Sequence, residues 1–290
     1  MELIFSTLIN GLSLGGIYAM IALGYTMVYG IAKLLNFAHG DIIMVGGYLI
    51  YVFMATKNPL LAVLAGVVGC VLLGIFIEKI AYRPLRGASP LAVLITAIGV
   101  SYLLQSLAQI LFGSAPKMVT VFDFGIIQFL GATIQVSSLV TLGVAAVVMV
   151  TLTLFVKYSR LGRAMIAVSE DKDAAQLMGI NVNRIITITF AIGSSLAALA
   201  GLFYLLKAPS VSSTLGAMPG IKAFTAAVIG GIGSIPGAML GGILLGLVES
   251  VSYKIAAIAP YTDAIEFSIL ILILLVRPTG FLGKKRREKV

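Results

Sequence analysis

Apolar runs long enough to cross a lipid bilayer follow one another along almost the whole of this 290-residue chain. A membrane-spanning α-helix needs about 20 mostly apolar residues. Only 11% of the residues are charged, whereas a soluble domain has about 25%. We therefore predict one all-α, polytopic membrane domain over residues 1–290 with about eight full spans. Seven of these lie at 4–31, 42–56, 59–78, 90–112, 137–156, 185–206 and 260–276, and the eighth contains Glu249.

A ninth apolar run, residues 221–233, is too short to be a full span. Its thirteen residues would form a helix of about 20 Å, against a hydrocarbon core of ~30 Å. Gly231 and Gly233 end the run, and a short helix followed by a glycine-rich break is typical of half-helices in transporters. Unpaired backbone groups are costly in lipid. The break is therefore expected to lie within protein or to face a water-filled cavity, as a candidate gate.

The longest polar stretch is Ser159–Arg184, and it contains a predicted short helix. Ser169 is the expected N-cap, with acidic residues in the first turn at the positive end of the helix dipole. Gly179 stands where a left-handed C-terminal cap belongs. Between these ends, Ala174, Leu177 and Met178 share one face. The stretch is either an ordinary solvated loop or a helix shaped to dock into a groove on another protein.

A second polar stretch, Asn36–Asp41, interrupts two apolar runs and contains the only histidine, His39. As a surface loop, it would place Asp41 favourably in the first turn of the next helix. As a buried group near a translocation path, it would fit the rule that ionisable residues at membrane depth are usually functional. His39 is expected to be structural, because nothing nearby completes a nucleophile–base pair. Gln105 and Gln109, one turn apart, either bond across helices or line a polar path.

The basic residues are unevenly distributed between the two sides of the predicted membrane domain. If the loops 79–89 and 157–184 and the tail 277–290 are cytoplasmic, 15 of the 20 Lys and Arg residues lie inside. The positive-inside rule then places the N-terminus outside. Residues 284–287 are expected to anchor the tail on anionic lipid and not to bind nucleic acid. The outside set is Lys57, Lys117, Lys207, Lys222 and Lys254.

Several chemical functions find no support in the residues. The chain has no GxxxxGK[ST] motif, so ATP chemistry would have to be on another chain. One cysteine, Cys70, allows neither an internal disulfide nor a cysteine metal cluster. We therefore expect no catalytic residues, metal or cofactor on this chain, and an intramembrane enzyme is disfavoured. A stand-alone secondary transporter or channel remains an alternative, because Asp41, Glu249 and Glu266 are acidic residues in or next to apolar runs.

Three segments resemble the permeases of branched-chain amino acid importers, the LivH/LivM type of ABC permease. They read YGIAKLLNFAHGDIIMVGGY, LGRAMIAVSEDKDAAQLMGI and AAVIGGIGSIPGAMLGGILLGLVE. The second contains a sequence similar to the EAA…G loop of ABC importer permeases, which forms a coupling helix in a cleft of the ATPase. Asp173 replaces the glutamate of that motif, and the Leu-Pro that often closes it is missing.

The resemblance implies a permease subunit in a bacterial plasma (inner) membrane that imports leucine, isoleucine and valine. Its partners would be a second homologous permease, two ATPase subunits that carry ATP and Mg, and an extracytoplasmic binding protein. Related permeases for urea, short amides or other amino acids remain alternatives. The implied ATPase-coupling residues are Glu170, Asp171, Asp173, Ala174, Ala175, Leu177, Met178 and Gly179. The candidate residues of the translocation path or gate are Asn36, His39, Asp41, Gly231, Gly233 and Glu249.

Overall fold

The structure, a computed structural model, describes residues 2–129 and 132–283. The helices in this part of the chain are α1 Glu2–Ala32, α2 His39–Met54, α3 Pro59–Ile77, α4 Pro90–Phe112, α5 Val136–Tyr158, α6 Arg160–Glu170, α7 Lys172–Leu177, α8 Val182–Lys207, α9 Ala217–Gly230, α10 Ile235–Lys254 and α11 Thr262–Val276. A π-helical turn, Glu78–Tyr82, and a 3₁₀ turn, Arg83–Leu85, extend α3, and a second 3₁₀ turn, Ala259–Tyr261, precedes α11. The strands are β1 Lys117–Met118, β2 Ile126–Phe129, β3 Ala132–Gln135 and β4 Ser210–Val211.

Among the described residues, seven helical segments are long and apolar enough to cross a membrane. They comprise α1, α3 with its following turns, α4, α5, α8, α10 and α11 with its preceding turn. The predicted all-α, polytopic fold is confirmed. The predicted count of eight full spans included α2, whose 16 residues are fewer than the ~20 of a typical membrane-spanning helix. Helix α9 is shorter still, with 14 residues.

Helix α1 lies at the centre of the bundle. It packs against α5, α8, α9 and α10, and its side chains from Ile17 to Leu23 are almost completely buried. Its contact with α10 depends on small residues, because a methyl group on Gly246 would overlap the backbone of Gly15. Close backbone approach of this kind is how helices associate in lipid, where the surroundings are as apolar as the side chains.

The antiparallel helices place the connections at two ends of the bundle. One end, here the α7 end, carries residues 33–38, 78–89, 159–181, 231–234 and 277–283. The other, the hairpin end, carries residues 55–58 and 255–261 and the antiparallel hairpin of β2 and β3. The connection between α4 and α5 thus contains a short hairpin. Strands β1 and β4 also pair at the hairpin end and join the α4–α5 connection to residues 208–216. Residues 208–216 run from this end along α2, so that Gly216 contacts Gly40 at the start of α2.

The predicted helix break is present between α9 and α10. Helix α9 ends at Gly230, and both Gly231 and Gly233 have positive φ angles, of 106° and 93°. Residues 279–283 cover the break: the N–H groups of Phe281 and Leu282 donate to the carbonyl oxygens of Ile229 and Gly230 at 2.9 and 2.8 Å. The first part of the break, at Gly230 and Gly231, is therefore buried within protein, whereas Gly233 is exposed. The basic residues 284–287 lie outside the described residues, so their anchoring role stays a prediction.

Candidate functional site

Helix α7 is the predicted short helix of the polar stretch, but it begins differently from the prediction. Asp171 is its N-cap, and its carboxylate accepts hydrogen bonds from the N–H groups of Asp173 and Ala174, both at 3.0 Å. The prediction of Ser169 as the N-cap was wrong, because an additional helix, α6, runs through Ser169 to Glu170. The extended backbone at Asp171 separates the two helices. Glu170 therefore ends α6 and does not lie in the first turn of α7.

The end of α7 is fixed as the sequence indicated. Gly179 has a φ of 82°, in the left-handed region that glycine adopts without strain. Its N–H donates to the Gln176 carbonyl, and the N–H of Ile180 donates to the Ala175 carbonyl, both at 3.0 Å. These two bonds form a Schellman motif, which satisfies carbonyl groups that a helix end leaves unpaired. Helix α7 is thus capped at both ends although it is only six residues long.

The predicted apolar face of α7 is exposed. Leu177 and Met178 are 89% and 83% accessible, and Ala174 beside them is also exposed. We call these three residues the α7 tip. Ala175, predicted as a docking residue with them, is instead 4% accessible and packs into the core of the chain. The helical repeat explains this, because Ala175 is turned about 100° from Ala174, away from the shared face.

Helix α7 is tied to the end of α1 by Lys172. The Lys172 Nζ donates to the carbonyl oxygen of Ala32, the last residue of α1, at 2.8 Å. Burial lowers the pKa of Lys172, and the nearby Arg86 guanidinium adds to the effect, while Asp173 opposes it. A cation at a helix C-terminus is favourable because it meets carbonyl groups at the negative end of the dipole. A movement of α7 would therefore act on the end of α1 through this hydrogen bond.

Asn36, in the turn that follows α1, and His39, the first residue of α2, are both buried. The Asn36 Oδ1 accepts a hydrogen bond from the Tyr82 hydroxyl at 2.8 Å. The ring of His39 lies 4.7 Å from that of Tyr25, centroid to centroid, and fills the space above Gly24, where a methyl group would overlap it. Both side chains pack the 33–38 turn against its neighbours.

Asp41 lies on the other side of Tyr25 from His39, at the edge of a cavity of about 180 Å³ between α1, α2, α4 and α9 that Tyr25 and Phe37 also line. We call this cavity the Asp41 pocket. The Asp41 Oδ1 accepts a hydrogen bond from the Gln105 Nε2 at 2.9 Å. One turn along α4, the Gln109 Nε2 donates to the Ser213 Oγ at 3.2 Å. Gln105 therefore bonds across helices to α2 and also lines the pocket, whereas Gln109 bonds to the connection between α8 and α9.

Glu249 belongs to a separate group of charged residues, which we call the Lys222 cluster. Lys222 was counted above as external, but it lies in α9 with its side chain almost completely buried. Its Nζ lies 3.1 Å from Glu249 Oε1, 2.8 Å from Asp263 Oδ1 and 3.2 Å from Glu266 Oε2. The Tyr18 hydroxyl also donates to Glu249 Oε2 at 2.7 Å. The cluster thereby joins α1, α9, α10 and α11.

The sequence analysis did not identify Lys222 as a buried charged residue, although the sequence contains an indication of it. It is the one cation in the apolar run 221–233, and a lysine in such a run needs a buried anionic partner. The predicted path residues thus occupy separate places. Asp41 lines the Asp41 pocket, Gly231 and Gly233 form the α9–α10 break, Glu249 lies in the Lys222 cluster, and Asn36 and His39 pack the 33–38 turn.

A buried ion pair was also missed, at the α7 end. The Arg86 guanidinium pairs with the Glu78 carboxylate, which also accepts a hydrogen bond from the Thr187 Oγ1 at 2.7 Å. Burial lowers the pKa of Arg86, and the Glu78 carboxylate opposes this shift. The Thr187 bond and a hydrogen bond from the Arg86 guanidinium to the Asn183 Oδ1 tie this pair to the start of α8. Within residues 2–129 and 132–283, no three His, Cys, Asp or Glu side chains are grouped so that they could hold a metal ion.

Comparison with known proteins matches the sequence of this chain to a family of transport permeases. Residues 7–274 match the family model described as the permease component of a branched-chain amino acid transport system. The high-affinity branched-chain amino acid transport system permease protein BraD of Pseudomonas aeruginosa is 44% identical over 98% of this chain and 97% of its own length. The corresponding protein LivH of Escherichia coli is 43% identical over 97% of this chain and 96% of its own length. The chain belongs to the family of branched-chain amino acid transport permeases, whose members are transport subunits and not enzymes.

Proposed function

We propose that this chain is a membrane-spanning subunit of an ATP-driven importer for leucine, isoleucine and valine. Its relatives at 43–44% identity are named as permeases of high-affinity branched-chain amino acid systems, which supports this substrate class. Alternating access would work by population shift, because the binding protein and ATP each favour one of two conformations. The proposed assembly contains a second homologous permease, two ATPase subunits with ATP and Mg, and an extracytoplasmic binding protein.

The α7 tip is the observation that carries the proposed coupling to ATP hydrolysis. Large apolar side chains gain about 25 cal/mol for each Å² of apolar surface removed from water. Leu177 and Met178 are nevertheless almost fully exposed on a helix that is capped at both ends and tied to α1. An exposed apolar face on an ordered helix suits a groove on a partner protein. We assign this groove to an ATPase subunit.

The proposed orientation places the α7 end in the cytoplasm and the N-terminus outside. Lys33, Lys79, Arg83 and Arg86 lie at the α7 end, and so do the basic residues of α6. Lys222 is buried and is therefore no longer counted among the five external basic residues. Lys207 and Lys254 lie in the last turns of α8 and α10. This leaves Lys57 and Lys117 as the basic residues of the hairpin-end connections within the described chain. Their scarcity agrees with the positive-inside rule.

The test of the coupling is the variant Leu177→Asp in the complete assembly. A charge placed in an apolar groove should weaken ATPase association about tenfold to a hundredfold, because each ~1.4 kcal/mol is a factor of ten. We expect loss of ATPase copurification and of substrate-stimulated ATP hydrolysis, with normal amounts of permease in the membrane. Met118→Asp, a similarly exposed residue at the hairpin end, is the matched control and should keep both. Wild-type behaviour of Leu177→Asp would show that α7 is only a solvated segment.

A further inference from the structure

Asp41 is a buried carboxylate without a cation. Its side chain is almost inaccessible, and its neighbours are the Gln105 amide, at 2.9 Å, and the Ser101 hydroxyl. The ion pairs within 4.0 Å in the described chain involve Glu78, Glu249, Asp263 and Glu266, and none includes Asp41. A buried charge is costly unless it is paired. The first turn of α2, where Asp41 lies, stabilises the carboxylate in part through the helix dipole. No ion pair neutralises it, so the site is suited to a positively charged group from outside the chain.

The opposite wall of the pocket carries positive potential. Gly216, Ala217 and Gly220, at the start of α9, line it, and no side chain caps this helix. The N–H of Ala217 already donates to the Thr214 carbonyl at 3.0 Å, that of Gly220 donates to the Gly216 carbonyl at 2.9 Å, and Pro219 has no N–H. The positive potential of this wall therefore comes from the dipole of α9. A methyl group on Gly40, next to Asp41, would overlap the Gly216 carbonyl. The start of α2 and the start of α9 are therefore in close contact beside the pocket. An anionic group could thus bind opposite the Asp41 carboxylate.

The rest of the pocket is apolar. The ring of Phe224 lies 5.4 Å from that of Phe37 and 5.8 Å from that of Tyr25, and Ile221 lies on the same wall. The volume of 180 Å³ is that of about six water molecules at ~30 Å³ each. This is room for one small organic molecule and not for a peptide.

We propose that the Asp41 pocket binds the zwitterion of one aliphatic α-amino acid during translocation. Asp41 accepts hydrogen bonds from the ammonium group, the start of α9 receives the carboxylate, and Phe37 and Phe224 contact the aliphatic side chain. Gln109 and Ser213 lie between this pocket and the hairpin end and form a polar approach to it. The inference rests on the proposed import function and deepens it, because it assigns the chemistry that recognises the substrate inside the permease.

The test uses thiol labelling of the complete assembly in nanodiscs. Ile221→Cys places a reactive thiol on the pocket wall, where Ile221 is 48% accessible, while the native Cys70 is fully buried. Excess L-leucine should slow labelling. Neither 4-methylpentanoate, which lacks the ammonium group, nor 3-methylbutylamine, which lacks the carboxylate, should do so at the same concentration. Met118→Cys, at the hairpin end, should be labelled at one rate with or without leucine.

Asp41→Asn, combined with Ile221→Cys, tests the named residue. The leucine concentration for half-protection should rise about tenfold or more, because the amide cannot replace a charge-assisted hydrogen bond to ammonium. Asp41→Glu keeps the charge, so its leucine concentration for half-protection should rise less. Equal protection by the deaminated analogue, unchanged protection in Asp41→Asn, or no protection by millimolar leucine in the wild-type background would overturn the proposal.

The two proposals can fail separately. If the wild-type assembly imports leucine with ATP but leucine does not protect Ile221→Cys, the pocket is not the binding site and the import function stands. If leucine protects the thiol through Asp41 but uptake does not require ATP, the binding site stands and the ATP-driven function fails.

Discussion

The Asp41 pocket and the Lys222 cluster both remove carboxylates from water, but only the cluster contains its own cation. In the cluster, Lys222 lies within 3.2 Å of three carboxylates. In the pocket, the partners of Asp41 are neutral. The internal cation of the cluster offsets part of the buried charge, since one lysine pairs with three carboxylates, so it serves structure. A missing cation leaves the charge available to a ligand.

Helix α9 connects the two regions. Ile221 and Phe224, three residues apart and therefore on one face, line the pocket. Lys222 points to α10 and α11, where its carboxylate partners lie. The ion pairs of the cluster thus hold α9 against its neighbours and fix one wall of the pocket. The Lys222 cluster supports the Asp41 pocket, and the pocket is the proposed binding site.

The largest effect is expected for Lys222→Met. Removing one partner of a buried ion pair typically costs ~3–5 kcal/mol, because the remaining charges are left uncompensated. The yield of folded protein and the unfolding temperature in detergent should both fall clearly. Lys254→Met, at the exposed end of α10, is the control and should change neither.

A rescue experiment sharpens this first prediction. Adding Glu249→Gln and Glu266→Gln to Lys222→Met removes the uncompensated charges, so stability should partly return. If Lys222→Met is as stable as Lys254→Met, the cluster does not support the fold.

An intermediate effect is expected for Gln105→Lys, which supplies the missing cation to the Asp41 pocket. The new ammonium group should pair with Asp41 at the distance now spanned by the amide and exclude the substrate. Folding should be kept, and ATP-driven leucine uptake should fall about tenfold or more, since a competing internal ion pair is worth at least ~1.4 kcal/mol in a buried site. Gln105→Met removes the amide without adding charge and should retain more uptake. Uptake in Gln105→Lys equal to that of Gln105→Met would contradict a binding role for the Asp41 charge.

The smallest effect is expected for Asp263→Asn. The Asp263 side chain is 49% accessible, whereas that of Glu266 is fully buried. Ion pairs that water can reach contribute ~0–1 kcal/mol, so the unfolding temperature should change little. Glu266→Gln, measured beside it, should change stability more. A larger effect at Asp263 than at Glu266 would mean that burial does not determine the strength of these contacts.

The features that depend on residues close together in the sequence could be predicted from it. The left-handed cap at Gly179 and the break at Gly231 and Gly233 follow from local backbone chemistry. The start of α7 was missed because Asp171 competes with Ser169 as a cap, and only the course of α6 decides between them. The inward position of Ala175 depends on how α7 sits against the bundle.

The Asp41 pocket and the Lys222 cluster were harder to predict, because their residues are distant in sequence. Lys222 and Glu266 belong to different helices whose rotation about their axes is set by packing, and the sequence periodicity of a mostly apolar helix does not reveal that rotation. For the same reason, Asp41 and Glu249 appeared equivalent in sequence, as acidic residues of a possible path. The structure distinguishes them by their partners, Gln105 and Lys222.

The most direct measurement of the proposed import is uptake of radiolabelled L-leucine into proteoliposomes that contain the complete assembly and the external binding protein. We predict accumulation that requires ATP, is blocked by excess isoleucine or valine but not by urea, and is lost in Leu177→Asp and strongly reduced in Asp41→Asn. Leucine uptake that proceeds equally without ATP would contradict the proposal and indicate a stand-alone transporter. ATP-driven uptake of urea or short amides in place of leucine would contradict the proposed substrate class.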